Sequence, residues 1–370
     1  MTSTKCYKNG LSRFAGRREL ARREGAMVAY RCSQAVGYAI ATIACCVTSG
    51  VGCAHHNAAH QGGSLFSIKT PTRKDCSVTP WTIADKKGFL SREGIRLEYT
   101  GETQPALQIP SILRGDNDVS AFHPNTLAVA RAGGANITGV AEGGLEPTDP
   151  AKDPRFRHMW WFINPERHPD IHSFADLARI PGKIRIATIT TNICADFESK
   201  LLADKYGIPR SRFEWVTMPD IQAIQVLKQG LVDVSEVHPP FYKGMADAGA
   251  RKIADSFETG LGASAGLSYY VFRDDFIKQH PDKVAAFARA MRKAQEWANA
   301  HPEESVKLTE EAIGVPVTGN HYYSENTKLD EALAVPWIDD LEKSGVIPKG
   351  KVTPGTLLTH DIEKLNAKLE

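Results

Sequence analysis

The stretch ILRGDNDVS at residues 112–120 has a counterpart, VLKQGLVDV, at residues 226–234. Each reads as the end of a helix, a glycine and a short buried strand. ADKKGFL (84–90) and IRLEY (95–99) precede the first copy, as LADKYGI (202–208) and FEWV (213–216) precede the second. The repeated order of helix, strand, helix and strand predicts two similar α/β lobes that face each other across a cleft. Such a cleft is suited to binding small molecules.

Strands and helices alternate along most of the remaining chain. A strand is predicted at 66–70, and a helix with Thr79 as its N-cap and Pro80 in its first turn is predicted to end at Gly88. Further strands are predicted at 95–99, 119–122, 137–141, 158–163, 184–187, 213–217, 231–235, 250–253 and 269–272. Further helices are predicted at 104–114, 124–133, 192–206, 220–229, 281–300, 302–312 and 359–369. This alternation predicts sheets flanked by helices, with a ligand at the carboxyl ends of the strands.

The chain has 370 residues, more than a single core usually holds, which agrees with two lobes. We assign residues 66–160 and 268–370 to lobe 1 and residues 161–267 to lobe 2. The formal charge is +2, but residues 1–53 contain eight Lys or Arg and two Glu, which leaves −4 for the remaining chain. A body of that charge argues against nucleic-acid binding, which needs a basic face.

Residues 1–53 have the layout of an export signal. The uncharged run 35–52 follows a basic region and ends in small residues. Met27 is a possible true start, Cys53 or Cys46 is a candidate site for lipid attachment, and Arg17-Arg18 permits a twin-arginine interpretation. Residues 54–65 are small and polar and are predicted to form a flexible tether. Its three histidines are interpreted as solvated linker residues, with metal binding as the alternative: His55, His56 and His60.

Several motifs follow one another in a familiar order. They are WTIA (81–84), GF (88–89), GI (94–95), LRGDNDV (113–119), FADL (174–177), GKI (182–184), GI (207–208), GLVD (230–233) and HPDKV (280–284). In this order they resemble the substrate-binding proteins of ABC importers for nitrate, sulfonates and taurine, the group also called NMT1/THI5-like or SsuA-like. The resemblance covers roughly residues 66–312.

The resemblance implies a periplasmic-binding-protein type II fold, α/β, with two lobes joined by crossover strands at 158–163 and 268–272. It further implies an extracytoplasmic, monomeric protein that closes on a small anion and presents it to an ABC permease in the inner membrane. Two alternatives stay open: an enzyme like the THI5 pyrimidine synthases of thiamine biosynthesis, and a sensing module for another partner. Those synthases use a cysteine-rich iron motif and a pyridoxal-binding lysine, neither of which the predicted cleft loops contain, so we expect a binder without a cofactor.

By resemblance, four loops face the cleft: 76–81, 121–125, 190–192 and 236–241. Three of them precede helices, whose N-termini attract anions, and none contains Lys or Arg, with Lys74 at the edge of the first. The structural alternatives are caps and turns for the polar residues and core packing for the aromatic ones. The candidate ligand-binding residues are Cys76, Ser77, Thr79, Trp81, Phe122, His123, Asn125, Thr190, Thr191, Asn192, Glu236 and His238.

Two features of the candidate site remain open at this point. Where the family usually has Glu-Pro, this chain has His238-Pro239, with Glu236 two residues earlier, so a ligand ammonium like that of taurine is in doubt. Cys76, His123, Cys194 and His238 are residue types that bind zinc or copper, but their spacing contains no local metal motif. The sequence therefore favours no metal.

Overall fold

The computed structural model describes residues 64–75, 77–149 and 153–369. The predicted export signal, the lipidation candidates, nearly all of the predicted tether and Cys76 lie outside the described residues. No helix in the described part of the chain is both long and apolar enough to span a bilayer.

Twelve strands occur in the described ranges. They are β1 Phe66–Thr72, β2 Ile95–Glu102, β3 Val119–Phe122, β4 Ile137–Glu142, β5 Gly144–Leu145, β6 Trp160–Ile163, β7 Ile184–Thr188, β8 Phe213–Thr217, β9 Val234–Val237, β10 Arg251–Asp255, β11 Tyr269–Arg273 and β12 Tyr322–Tyr323. The predicted strands all correspond to one of these. The largest differences are three residues: β9 begins three residues later than predicted, and β2 ends three residues later.

Thirteen α-helices occur in the same ranges. They are α1 Val78–Lys86, α2 Phe89–Arg92, α3 Pro105–Arg114, α4 Pro124–Ala132, α5 Cys194–Lys205, α6 Asp220–Gln229, α7 Tyr242–Asp247, α8 Asp274–Gln279, α9 Pro281–Ala300, α10 Pro302–Ile313, α11 Val335–Lys343, α12 Pro354–Leu357 and α13 Asp361–Asn366. Short 3-10 helices lie between them, including Pro239–Phe241 and Glu331–Ala334.

The strands form two main groups. In the first, β1 and β2 pair in parallel, and β11 lies antiparallel between β3 and β4. Two hydrogen bonds join these parts, because the Asp118 amide donates to the Lys69 carbonyl and the Lys69 amide donates to the Asp118 carboxylate, both at 2.9 Å. The second group is one mixed sheet in the order β10-β6-β9-β7-β8. The chain enters it at β6 and returns to the first group at β11.

The repeated sequence pattern produces matching pieces of the two groups. In the first, β2 pairs in parallel with β1, and α3 ends at Gly115 before β3; in the second, β8 pairs in parallel with β7, and α6 ends at Gly230 before β9. Both glycines are left-handed, with φ of 79° and 71°. That conformation closes a helix and is strained for residues with a side chain.

The predicted N-cap at Thr79 is wrong. The first helix begins at Val78, so Ser77 is its N-cap residue and Thr79 lies inside the first turn. The Thr79 hydroxyl is buried 2.6 Å from the Thr309 hydroxyl of α10. The Thr79 hydroxyl, which local sequence rules assign to a helix cap, is thus hydrogen-bonded to a residue 230 positions away.

The segment after β11 contacts both groups of strands. Trp337 of α11 is buried in the apolar cluster of β6, β7 and α5, whereas Ile338 and Leu341 of the same helix are buried with residues of β11 and α4. Asp340 forms an ion pair with Arg210 at 2.6 Å. Helix α11 thus stabilises the two lobes relative to each other. The lobe boundaries given above stay a prediction.

Candidate ligand-binding cleft

A cavity of about 400 Å³ lies between the two groups of strands, at the carboxyl ends of β1, β3, β7 and β9. All four predicted loops contribute to its wall. The predicted site residues that line it are Ser77, Trp81, Phe122, His123, Thr190 and His238. The structure therefore brings together half of the residues that the sequence nominated.

Of the other candidates, several lie behind the wall or beside it. Asn125 is buried at the start of α4, and its side-chain oxygen accepts the Thr126 amide at 2.8 Å. Thr79 bonds to Thr309, as described above. Thr191 is exposed, and neither it nor Asn192 is among the cavity-lining residues.

Asn192 connects the two lobes at the rim. Its carbonyl accepts a hydrogen bond of 2.9 Å from the Thr126 hydroxyl of α4. Its φ of 56° is left-handed, a conformation that asparagine tolerates better than most residues. The loop before α5 is thereby fastened to the helix that follows β3.

Glu236 lies inside the second sheet and not in the cavity. One carboxyl oxygen accepts from the Ser199 hydroxyl at 3.0 Å, and Ser199 in turn accepts from the Trp161 indole at 2.7 Å. Burial raises the pKa of Glu236 well above its usual range. Burial thus disfavours the ionised carboxylate, and because Glu236 does not line the cavity it is unsuited to binding a ligand ammonium.

Arg73 lines the cavity, and the sequence analysis missed it. Its side chain is 94% buried next to the carboxyl end of β1. The guanidinium donates to the hydroxyls of Ser120 at 2.7 Å and Ser77 at 3.2 Å, and it lies 4.8 Å from the ring centroid of Trp81. The cavity thus contains an arginine, although the four predicted loops contain none.

Two further donors lie beside this arginine. The rings of Trp81 and Tyr270 meet edge to face, with centroids 5.5 Å apart, and both residues line the cavity. Among the described residues, neither the Trp81 indole N–H nor the Tyr270 hydroxyl has a hydrogen-bond partner. Buried donors of this kind are costly unless something else satisfies them.

Charged residues at the mouth largely offset one another. Lys74 and Glu102 form an exposed ion pair of 2.7 Å. Asp75 accepts from both the amide and the hydroxyl of Ser77, at 2.9 and 2.6 Å. The positive charge deeper in the first-lobe wall is that of Arg73.

Four histidines meet at the cavity wall, where three of them, His123, His238 and His321, line the cavity. His123 and His238 were nominated from the sequence, whereas His158 and His321 were not. The ring centroid of His158 is 5.2 Å from that of His123, 5.2 Å from that of His238 and 4.6 Å from that of His321. Cys194, at the start of α5, lies against them, with its sulfur 3.3 Å from Nε2 of His238.

Neighbouring groups fix the orientation of two of these rings. The Nδ1 of His123 is 2.6 Å from the Leu267 carbonyl, so this nitrogen carries a proton and donates it. The Nδ1 of His238 is 2.8 Å from the Asp220 carboxylate. In the neutral imidazoles this leaves the lone pair on Nε2.

The cluster favours uncharged imidazoles. Burial lowers the pKa of His123 to about 4, and it lowers the pKa values of His158 and His321 well below their usual range. The neighbouring imidazoles act in the same direction, since each would repel a second positive charge.

Buried carboxyl groups lie beneath the histidines. Glu146 accepts the His158 amide at 2.6 Å and the Ser256 hydroxyl at 2.9 Å. Arg157 lies 3.4 Å away, yet burial outweighs it and raises the pKa of Glu146 to about 7. Glu198 is fully buried 3.8 Å from Nε2 of His158, and burial raises its pKa strongly. Neither oxygen of Glu198 has a hydrogen-bond partner among the described residues.

The sequence profile of the NMT1/THI5 like family matches residues 75–151 and 156–305, which is more than half of the chain. The chain belongs to the NMT1/THI5-like family. The predicted family is confirmed, and its matched region includes most of the elements that form the cleft.

Two binding proteins are similar to this member of the family. The taurine-binding periplasmic protein of Escherichia coli K12 is 27% identical over 139 residues, a match that covers 34% of this chain and only 43% of that protein. The structure of the periplasmic nitrate-binding protein NrtA from Synechocystis PCC 6803 superposes with a TM-score of 0.66 at 14% identity, covering 82% of this chain and 89% of NrtA. The predicted two-lobed α/β fold is therefore confirmed.

An enzyme shares the same fold. The desulfurization enzyme DSZB superposes with a TM-score of 0.58 at 13% identity, covering 82% of this chain and 99% of the enzyme. At this identity the likeness shows the fold alone. The fold is thus compatible with both binding and catalysis, and the side chains in the cleft must decide between them.

Proposed function

We propose that this protein captures a small organic anion between its lobes and delivers it to an ABC importer. The observation that carries this proposal is the group formed by Arg73, Trp81 and Tyr270 on the first-lobe wall. It combines a buried guanidinium with two buried donors that lack a partner among the described residues. An anion bound there would pair with the guanidinium and accept hydrogen bonds from the two donors.

The helix N-termini support the same ligand charge. The loops at Ser77 and His123 precede α1 and α4, so the first amides of both helices border the cavity. Helix N-termini favour negative groups by about 0.3–1 kcal/mol. That contribution adds to Arg73 and does not replace it.

Cavity size and lining favour an organic ligand over nitrate. The volume of about 400 Å³ is much larger than a three-oxygen anion needs, and Trp81, Phe122, Phe241 and Tyr270 provide apolar or aromatic lining. Drug-sized ligands occupy pockets of roughly 300–1,000 Å³. An aliphatic or aromatic sulfonate or carboxylate fits this description.

A ligand ammonium is a poorer match. Glu236, which stands two residues before the position of the family Glu-Pro, is buried outside the cavity lining and bonded to Ser199. The carboxylates that do line the cavity already have partners: Asp220 contacts His238, Asp75 accepts from Ser77, and Glu102 pairs with Lys74. We therefore favour an anion without a neighbouring amine.

The sequence of residues 1–53 supports export, and family membership supports a partner permease in the membrane. We propose a periplasmic or otherwise extracytoplasmic location, a monomeric state, and Cys53 or Cys46 as possible lipidation sites. A gel-mobility shift upon globomycin treatment of cells would reveal lipid processing, which the Cys53→Ser or Cys46→Ser variant would abolish.

The deciding experiment is a thermal-shift screen of the purified chain in the presence of a chelator. Nitrate, taurine, alkanesulfonates, aromatic sulfonates and aromatic carboxylates are compared at equal ionic strength. We expect organic sulfonates or carboxylates to raise the melting temperature, since a ligand stabilises the state that binds it. Melting temperatures unchanged by every anion would contradict the proposal.

Mass spectrometry of the recovered ligand separates a binding protein from an enzyme. A binding protein returns the ligand unchanged after long incubation. Desulfurized or otherwise converted product would instead favour catalysis in the fold shared with DSZB. A THI5-like synthase would require a lysine near the cofactor, and Lys74, the lysine that lines the described cavity, is engaged by Glu102.

A further inference from the structure

The histidine cluster has the composition of a transition-metal site. His123, His158 and Cys194 each place one donor atom so that the three atoms lie within 4.8 Å of one another. Imidazole and thiolate together are ligands of Zn²⁺ and Cu⁺. We propose that these three residues bind a zinc-type metal ion behind the part of the cavity wall that His123 forms.

The spacing is close to that of a bound ion. With Zn–N bonds of about 2.0–2.1 Å and Zn–S bonds of about 2.3 Å, ligand atoms in a tetrahedral site lie roughly 3.3–3.7 Å apart. The three donor atoms here are within 4.8 Å. A side-chain adjustment of about 1 Å would bring them to bonding geometry. Three protein ligands also leave a fourth coordination position, which a water molecule can fill.

The surrounding hydrogen bonds resemble the supporting contacts of metal sites. Ligand histidines usually donate one ring N–H to a carbonyl or carboxylate, which presents the other nitrogen to the metal. His123 donates Nδ1–H to the Leu267 carbonyl at 2.6 Å. This hydrogen bond leaves the Nε2 lone pair of His123 available to a metal ion.

Unsatisfied polar atoms provide an independent observation. Within the described ranges, Nε2 of His158, Nε2 of His321 and both oxygens of Glu198 are buried without a hydrogen-bond partner. Buried polar groups of this kind call for a water or an ion.

Metal binding requires that the Cys194 thiol release its proton. Nε2 of His238 lies 3.3 Å from the sulfur, and His238 lines the cavity, so a path by which this proton can reach solvent is present. The transfer balances as one proton released for each metal–thiolate bond formed.

A nucleophilic thiol is the competing interpretation. Asp220, His238 and Cys194 form a hydrogen-bonded series like that of cysteine hydrolases. However, Cys194 is completely buried and is not among the residues that line the cavity, so a substrate could not reach its sulfur. The series also leaves His123, His158 and His321 unexplained.

The test uses the full, untagged chain, prepared without metal. We expect one equivalent of Zn²⁺ to remain after gel filtration, and Co²⁺ to give an intense near-ultraviolet thiolate charge-transfer band. Cys194→Ser should abolish that band, and His158→Ala should weaken Co²⁺ binding at least ten-fold. His172→Gln, which changes an exposed histidine, is the matched control and should bind like the parent chain.

Circular dichroism and anion-induced thermal shifts establish that each variant is folded. The Cys194→Ser readout also excludes metal held by the tether histidines His55, His56 and His60, because their binding would survive the substitution. Substoichiometric metal, a Co²⁺ spectrum without the thiolate band, or metal-independent acylation of Cys194 would each overturn the proposal. The anion-induced change in melting temperature, measured in the presence of a chelator, tests the proposed function separately. Anion capture and metal binding can therefore each be contradicted without the other.

Discussion

Arg73 is the residue that most changes the interpretation of the cleft. The sequence analysis ended the first strand at residue 70, whereas β1 extends to Thr72. Arg73 therefore immediately follows the strand, at the carboxyl end where α/β proteins bind ligands. Had the first strand been predicted to end at residue 72, Arg73 would have been a candidate site residue. Because the pairing of β1 with β2 has a bulge between Thr70 and Thr72, the alternation of apolar and polar side chains does not reveal the last two residues of the strand.

Replacing Arg73 by glutamine tests its role. The substitution keeps a donor but removes the charge, and charged hydrogen bonds contribute about 1.5–3 kcal/mol. We expect the affinity for the anion found in the screen to fall by roughly ten-fold to a hundred-fold, measured by calorimetry. Arg96→Gln, at an exposed position of β2, should leave affinity unchanged. Equal affinities in all three proteins would remove Arg73 from the site.

The two missed histidines show a limit of sequence reasoning. His158 was absorbed into a predicted apolar strand, HMWWFI, although a polar residue at its start was a usable signal. His321 lies in a segment without helical or strand periodicity, 163 positions from the ring it contacts. Only the packing of α10 and β12 against the first lobe brings it to the cavity. His123 and His238, by contrast, were found because each precedes a proline at a strand end.

At the scale of elements, agreement was best where periodicity and end signals coincide. The proline at 281 and the apolar positions of α9 fixed a helix that spans the predicted residues 281–300. β9 begins later than predicted because Asp233 is bound to Arg185 of β7. The Asp233 amide donates to the Arg185 carbonyl, and the Asp233 carboxylate accepts from the Arg185 amide and guanidinium. The residues before Val234 therefore turn toward β7. A contact between distant segments overrode the local apolar run there.

His360 connects α13 to the 3-10 helix Glu331–Ala334. Its two ring nitrogens contact Glu363 at 3.0 Å and Glu331 at 2.9 Å, and these hydrogen bonds raise the pKa of His360. A raised pKa adds stability that is fully present below the unfolded-state pKa and is lost as pH rises through the folded-state pKa. The affected window therefore begins near pH 6.5 and extends upward.

We expect the melting temperature of the parent chain to fall more between pH 6 and pH 8.5 than that of His360→Gln. The difference is small because the imidazole is about one-third exposed. His301→Gln, another exposed histidine, serves as the control and should follow the parent chain. If His360→Gln kept the full pH dependence, the stabilising contacts would have to lie elsewhere.

At the scale of the whole molecule, the lobes are joined by more than the two predicted crossovers. Val78 of α1 and Ile313 of α10 are buried in one apolar cluster with Ala223 and Leu227 of α6. The hydrogen bond from Thr126 to Asn192 crosses the rim. The described conformation is therefore one in which the lobes are in contact around the cavity.

Thr126→Val tests whether this contact contributes to capture. The variant keeps the shape of the side chain and removes the hydrogen bond across the rim, worth about 0.5–1.5 kcal/mol. If ligand binds the closed form preferentially, affinity should fall roughly two-fold to twelve-fold. Solution scattering should also show less compaction at subsaturating ligand.

Thr259→Val is the matched control, because its hydroxyl bonds to the Ser256 carbonyl at 2.6 Å within the second lobe. It should change stability without changing affinity. An unaltered affinity in Thr126→Val would mean that this rim contact is equally strong in the open and closed forms.

The helix α11 bears on how long a ligand stays bound. Its Trp337 is buried in the core of one lobe, its Ile338 and Leu341 in the core of the other. If the lobes open by a hinge as proposed, this helix has to leave one of the two cores before the solute can leave. Such a step makes the dissociation rate, more than the association rate, sensitive to a few side chains far from the cavity. The residence time of the solute is then set largely by a helix whose residues do not line the cavity.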